Sequence, residues 1–138
     1  MINSFNGKYD FLSNFHYAPI KHDGIVYITN EHAFQAAKTL NFNERLNLAS
    51  QNTPGQAKRH GRMLTLRSDW EDVKYSIMEE ICAIKFLTHE DLRERLLDTR
   101  DMELIESNNW GDVVWGQVNG VGTNWLGKIL MDLRSKLK

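Results

Sequence analysis

The chain has 138 residues, 25% of them charged and 41% hydrophobic, with a formal net charge of −1. That length suits one domain around one hydrophobic core, and that balance excludes both a disordered chain and a broad cationic surface for nucleic acid. The single cysteine, Cys82, rules out an internal disulfide or a cysteine-rich metal cluster, fits a reducing compartment, and reads as a small buried hydrophobe.

The opening MINSFNGKYDF lacks a basic region followed by an apolar run. No apolar stretch nears the roughly 18 residues of a membrane span, so the expected location is the cytoplasm, away from membranes. Up to about residue 30, aromatic and turn residues dominate, and HDG at 22–24 separates YAPI from IVYI, the pattern of a short hairpin. TNEHAFQAAKTL, residues 29–40, reads as a helix capped by Thr29 or Asn30, with Ala33, Phe34, Ala36, Ala37 and Leu40 in the core. NTPGQAKRHGR puts Thr53 at an N-cap, Pro54 at the first helical position and Gly61 where the turn closes, which makes a short basic helix. In SDWEDVKYSIMEEICAIKF, Val73, Ile77, Ile81 and Ile84 recur at the helical period behind a Ser68/Asp69 cap, the expected central helix. THEDLRERLL opens on a Thr88 to Asp91 pair like a capping box, and MELIE, residues 102–106, reads as a short strand. From Asn124, the residues Leu126, Ile129, Leu130, Leu133 and Leu137 follow an amphipathic helix. The fold class that results is α+β, a mostly helical single domain over 1–138 with a small β-sheet.

Three constellations carry chemistry. At about 100° per residue, Glu31, Gln35 and Lys38 share one narrow line on an otherwise apolar helix, the geometry of either a solvated edge or a pocket wall. The stretch 108–127, NNWGDVVWGQVNGVGTNWLG, combines three tryptophans, five glycines and one acid. Its glycines at 116, 120 and 122 permit close approach to a ligand, and the helix start at Asn124 is expected to offer free N–H groups to phosphate. Trp110 and Trp115, beside Asp112, are placed to stack on a base or sugar, whereas Trp125 reads as a core anchor. In AKRHGR, Arg59 and Arg62 could each hold a phosphate, with Arg62 preferred. Histidines 16, 22, 32, 60 and 89 have no ligand spacing, so no metal is expected, and no nucleophile-elbow, zincin or Walker motif is present.

FLSNF (11–15), NEHAFQAAK (30–38), AKRHGR (57–62), DWEDVK (69–74) and WGDVVWGQVNGVGTNWLGKILMDLR (110–134) together resemble the NADAR superfamily, the YbiA-like N-glycosidases, in order and spacing. The resemblance runs over nearly the whole chain. It implies a mostly helical α+β fold and hydrolysis of N-glycosidic bonds without a cofactor. Substrates implied are phosphoribosyl-amino-pyrimidine intermediates of riboflavin synthesis and ADP-ribose attached to guanine, including ADP-ribosylated DNA or RNA. By this resemblance Glu31, Lys38 and Asp112 match the catalytic positions. Asn14, Gln35, Arg62, Trp70, Trp115 and Asn124 fall in motifs around the pocket, and Phe15, Trp110, Gly116 and Gly122 complete the expected substrate-binding set. Gln117 stands where some relatives carry an acid, so no acid/base role is assigned there.

Substrates of that kind bond ribose C1 to an amine-like nitrogen, so the sugar can open to an imine that a lysine then exchanges. Lys38 must be neutral to attack, and burial together with cations such as Arg62 is expected to lower its pKa while Glu31 shuttles protons. The competing mechanism pairs Glu31 and Asp112 as acid and base, with Lys38 holding phosphate or sugar. A different class of function, a non-catalytic reader of ADP-ribose or a related nucleotide, would use the aromatic and glycine loop without Lys38 or Glu31. A small DNA-binding helical protein fits worst, given the near-zero charge.

Overall fold

Local turn chemistry builds the hairpin. β1 (Tyr17–His22) pairs antiparallel with β2 (Ile25–Thr29), and the linking Asp23 and Gly24 have φ of 50° and 84°, as a two-residue type I′ turn requires. A one-residue bulge between Tyr17 and Ile20 accommodates Pro19, which has no N–H for a ladder bond. The computed structural model describes residues 1–138 and divides into two units: residues 14–88, and residues 1–13 with 89–138. The class is α+β, six α-helices and two short 3-10 turns with this two-stranded sheet, and no helix is long and apolar enough to cross a membrane.

In the unit 14–88, α1 (Asn30–Ala36) is central, packed on both strands and on α2 (Phe42–Ala49), α3 (Pro54–His60) and α4 (Trp70–Thr88). All seven of its residues are buried, the four polar ones included. Thr29 is the N-cap, accepting from the His32 N–H at 3.2 Å. Fully buried His32 donates from Nε2 to Gln51 O at 2.9 Å and accepts the Thr29 hydroxyl at Nδ1, 2.7 Å away; burial lowers its pKa and keeps the ring neutral. Thr53 caps α3 through the Gln56 N–H, with Pro54 at the first position.

Several expectations shift here. Leu40 is 68% exposed and not core, because α1 ends at Ala36 and helical periodicity does not extend through the turn at 37–39. On α4 the buried line is Trp70, Met78, Ile81, Cys82, Lys85 and Phe86; Val73 and Ile77 instead line an open groove of about 330 Å3 that also borders Ala37 and Arg67. Asp69 sits at the cap position, where its carbonyl accepts from the Asp72 and Val73 N–H groups, while its carboxylate is forked by Arg67. Cys82 is buried, and burial pushes its thiol up to about 12, which keeps it protonated and unreactive.

In the other unit, a 3-10 turn (Gly7–Leu12) is followed, after residue 88, by α5 (Glu90–Asp98) and α6 (Trp125–Leu137). Thr88 does not open α5: α4 runs through it, and His89 takes the N-cap position without a side-chain cap. MELIE is not a strand. Its Leu104 makes one isolated parallel bridge with Ile2, and Leu104 and Ile105 are both buried, so the alternation of a strand is absent. On α6, Leu126, Ile129 and Leu130 are buried as expected, and so is Arg134, which donates to Thr99 Oγ1 at 2.8 Å.

Candidate active site

Glu31 and Gln35 lie four residues apart on α1, and the structure joins them: Gln35 Nε2 donates to Glu31 Oε1 at 2.9 Å, with both residues buried. This fixes one carboxylate oxygen. Gln35 Oε1 is buried without a hydrogen-bond partner and rests over Gly61, where an added Cβ would come within 2.1 Å of it. Gly61 has an ordinary helical φ of −57°, so glycine is required there by Gln35 and not by the turn.

Lys38 lies two residues beyond α1, in a turn closed by its N–H on Gln35 O at 3.1 Å, and it is partly buried. Burial lowers its amine pKa below the ordinary lysine value; Glu31 pulls it back up, and Arg62 and Lys58 push it down. The cations expected at this end of α3 were Arg59 and Arg62. The structure gives the electrostatic effect on Lys38 to Arg62, which is exposed, and to Lys58, which the sequence reading passed over. The available signal was spacing: Lys58 and Arg62, four apart, lie about 40° apart around the axis, whereas Arg59 is about 100° from Lys58 and about 60° from Arg62.

Asn14 supports this cluster. Its carbonyl accepts the Glu31 N–H at 3.0 Å, and its side chain accepts from Asn30 Nδ2 at 3.1 Å and donates to Met78 Sδ at 3.4 Å. Phe15 is 45% exposed beside it in the chain. Trp70 is 6% exposed and packed on Phe34 with ring centroids 5.0 Å apart, so little of its face is open to a ligand.

In the unit carrying residues 89–138, the glycine and tryptophan loop is held by its own backbone. Asp112 Oδ1 accepts from the N–H groups of Val114 and Trp115 at 3.0 and 2.9 Å, and Asn119 and Gly120 turn Val118 onto Val121. The helix start does not offer free donors to phosphate. The Asn124, Trp125 and Leu126 N–H groups donate to the carbonyls of Gly116, Val114 and Trp115 at 3.2, 3.1 and 3.0 Å, because the loop folds back over the first turn of α6. Asn124 is buried with φ of 55°, and its side chain clips Leu104 O and the Glu106 N–H. Gly116 and Gly122 permit backbone to approach backbone: a Cβ would meet Glu106 O at 2.1 Å in the first case and Gly116 O at 2.4 Å in the second. Trp115 packs edge-on against Trp125 at 5.4 Å, and Trp110 is 60% exposed. No three His, Cys, Asp or Glu side chains are gathered to ligate a metal.

A helix-rich α+β chain with a partly buried lysine whose pKa burial lowers, and a buried, oriented carboxylate whose charge acts on it, has the equipment for amine and proton-transfer chemistry. Residues 3–138 match the NADAR domain, and the chain belongs to that family. It is 39% identical to N-glycosidase YbiA of Shigella flexneri serotype 5b (strain 8401) over 142 aligned residues, covering 99% of this chain and 88% of that one. The NMR structure of the E. coli protein YbiA superposes with a TM-score of 0.85 at 37% identity, covering 99% of this chain and 86% of that one. A Vibrio vulnificus (strain YJ016) protein named for riboflavin biosynthesis is 34% identical over 134 residues, 95% of this chain and 36% of that protein.

Proposed function

We propose that the protein is an N-glycosidase that hydrolyses the bond between ribose C1 and an amine nitrogen, with Lys38 as nucleophile and Glu31 as proton shuttle. The observation that carries this reading spans α1: the partly buried Lys38 amine just past its C-terminus, its pKa lowered by burial, feels the charge of the buried Glu31 carboxylate in the first turn, which Gln35 orients. The N-glycosidase names of relatives matched over nearly their full length support the reaction class. The substrate is a ribosylated amine, either a phosphoribosyl-amino-pyrimidine, which the riboflavin-named relative favours, or ADP-ribose on guanine in nucleic acid. A cytoplasmic location suits both, and the reaction needs no cofactor.

In such a substrate the nitrogen lone pair expels the ring oxygen, which takes a proton, and C1 becomes double-bonded to nitrogen. The neutral Lys38 amine adds to C1, a proton passes to the departing nitrogen, and the C1–N bond breaks to release the free amine. A protonated imine then joins C1 to Lys38 Nζ. Water adds to that carbon, and collapse of the carbinolamine returns the lysine and frees the sugar, so one water is taken up overall. Glu31 moves the protons, its carboxylate oriented by the hydrogen bond from Gln35.

The test offers the purified protein a panel of phosphoribosylamines, ADP-ribosylated oligonucleotides and NAD, with products read by mass spectrometry. Lys38→Arg keeps the charge but cannot act as an amine nucleophile, and its expected loss of rate is on the order of a thousandfold or more. Borohydride added during turnover should attach a sugar to the Lys38 peptide of the wild type. A fully active Lys38→Arg enzyme would return the chemistry to carboxylates alone.

A further inference from the structure

A helix C-terminus leaves its last carbonyls without intrahelical partners. Past α1, three successive carbonyls each receive a donor from elsewhere. Arg67 Nη1 reaches Ala37 O at 3.4 Å, the Arg67 backbone N–H donates to Lys38 O at 2.7 Å, and Arg45 Nε donates to Thr39 O at 2.8 Å. Both guanidiniums are in turn anchored by an acid. Arg67 forks Asp69 through Nε and Nη2 at 2.6 and 3.1 Å, and Arg45 Nη1 meets Asp23 Oδ2 at 3.2 Å. The arginine side chains are largely covered, 17% and 13% exposed, while their carboxylate partners Asp69 and Asp23 face solvent at 46% and 54%.

The peptide groups on both sides of the Lys38 Cα are thus fixed: its N–H by Gln35 O, its carbonyl by Arg67, and the carbonyls before and after it by the two guanidiniums. The charges that move the Lys38 amine are Glu31, Arg62 and Lys58, and neither clamping arginine is among them. Their hold on Lys38 runs through the backbone. Because Asp69 also supplies the carbonyl that starts α4, the Arg67 fork ties the Lys38 turn to the longest helix of the unit.

We propose that Arg67, anchored by Asp69 and joined by Arg45, is a positioning residue that sets the place of Lys38 for attack on C1; this rests on the reading of Lys38 as nucleophile. Near-attack geometry is sensitive to shifts of about 1 Å, which can cost on the order of a hundredfold in rate. The groove bordered by Ala37 and Arg67 leaves room for the unclamped turn to move.

The test uses ribose 5-phosphate, whose open-chain aldehyde forms the same imine by the reverse of the last half-reaction. With cyanoborohydride present, labelling of the Lys38 peptide is timed by mass spectrometry against exposed Lys21 as internal standard. Arg67→Met should slow Lys38 labelling by roughly tenfold to a hundredfold. Affinity for ribose 5-phosphate by calorimetry and the pH midpoint of labelling should hold, and Arg67→Lys should recover part of the rate. Asp69→Asn, which leaves Arg67 in place without its fork, should show the same pattern and serves if the Met variant folds poorly by circular dichroism. Wild-type labelling with undiminished labelling in both folded variants overturns the clamp. An affinity loss matching the rate loss, or a shifted pH midpoint, overturns positioning in favour of binding or charge. A wild type that labels Lys38 no faster than Lys21 overturns the nucleophile reading itself, so the two failures are told apart.

Discussion

Gly61→Ala tests the link between the end of α3 and the Glu31 carboxylate. The backbone there is helical, with φ of −57° and ψ of −24°, so alanine meets no backbone strain. Its Cβ would lie 2.1 Å from Gln35 Oε1 and 2.9 Å from Gln35 Cδ, so the amide must swing away and release Glu31. Losing a hydrogen bond to a charged group costs about 1.5–3 kcal/mol, and replacing glycine regains about 0.4–1 kcal/mol through the unfolded chain. The net is a destabilisation of about 1–2 kcal/mol, or a Tm lower by about 5 °C for a domain of this size. Activity should fall several-fold with it, since Glu31 loses its orientation. Calorimetric melting and initial rates check this, with a cycle: once Gln35→Ala has removed the obstructing amide, adding Gly61→Ala should be neutral or slightly stabilising. A Gly61→Ala protein with wild-type melting and rate, or one equally destabilised without Gln35, would refute the argument.

Labelling and turnover that need the neutral Lys38 amine rise with pH through a pKa below the ordinary lysine value. Glu31→Gln removes the group that raises that pKa, so the rising limb moves to lower pH even as turnover drops; Arg62→Gln removes one that lowers it, so the limb moves to higher pH. Shifts in the same direction in the two pH profiles would contradict the assignment. Asp112→Asn keeps an acceptor for the Val114 and Trp115 N–H groups and should melt like wild type, whereas Asp112→Ala should lose about 1–2 kcal/mol. Activity lost in the Asn variant at unchanged melting assigns the negative charge to the reaction.

What could be read in the sequence was what neighbours in the chain decide. Thr29, Thr53 with Pro54, and the Asp23–Gly24 turn act on N–H groups or dihedrals within a few residues, and each is where its local chemistry puts it. The Glu31–Gln35 contact follows from a spacing of four, and the family motifs carried the fold class. Partners distant in sequence stayed hidden. α2 escaped notice because only Leu48 of its eight residues is buried, although Asn41 with Glu44 three residues on is a cap signal. Leu40 and Val73 were extrapolated along periods that a helix end or an open groove interrupts. Gly61 looked like a turn former, and only the fold brings Gln35 over it. The carbonyls covering the first turn of α6 likewise come from a loop whose path no spacing rule describes.

That covering loop also determines how this part of the molecule opens. The N–H groups of Thr123, Asn124, Trp125 and Leu126 are held by carbonyls of residues 113–116, so peeling the loop away would strand four donors together, not one at a time. Asp112 and Asn124 pin the two ends of the same network. The amide hydrogens of Thr123 to Leu126 are therefore expected to exchange as one cooperative block, more slowly than those of an unbonded surface loop.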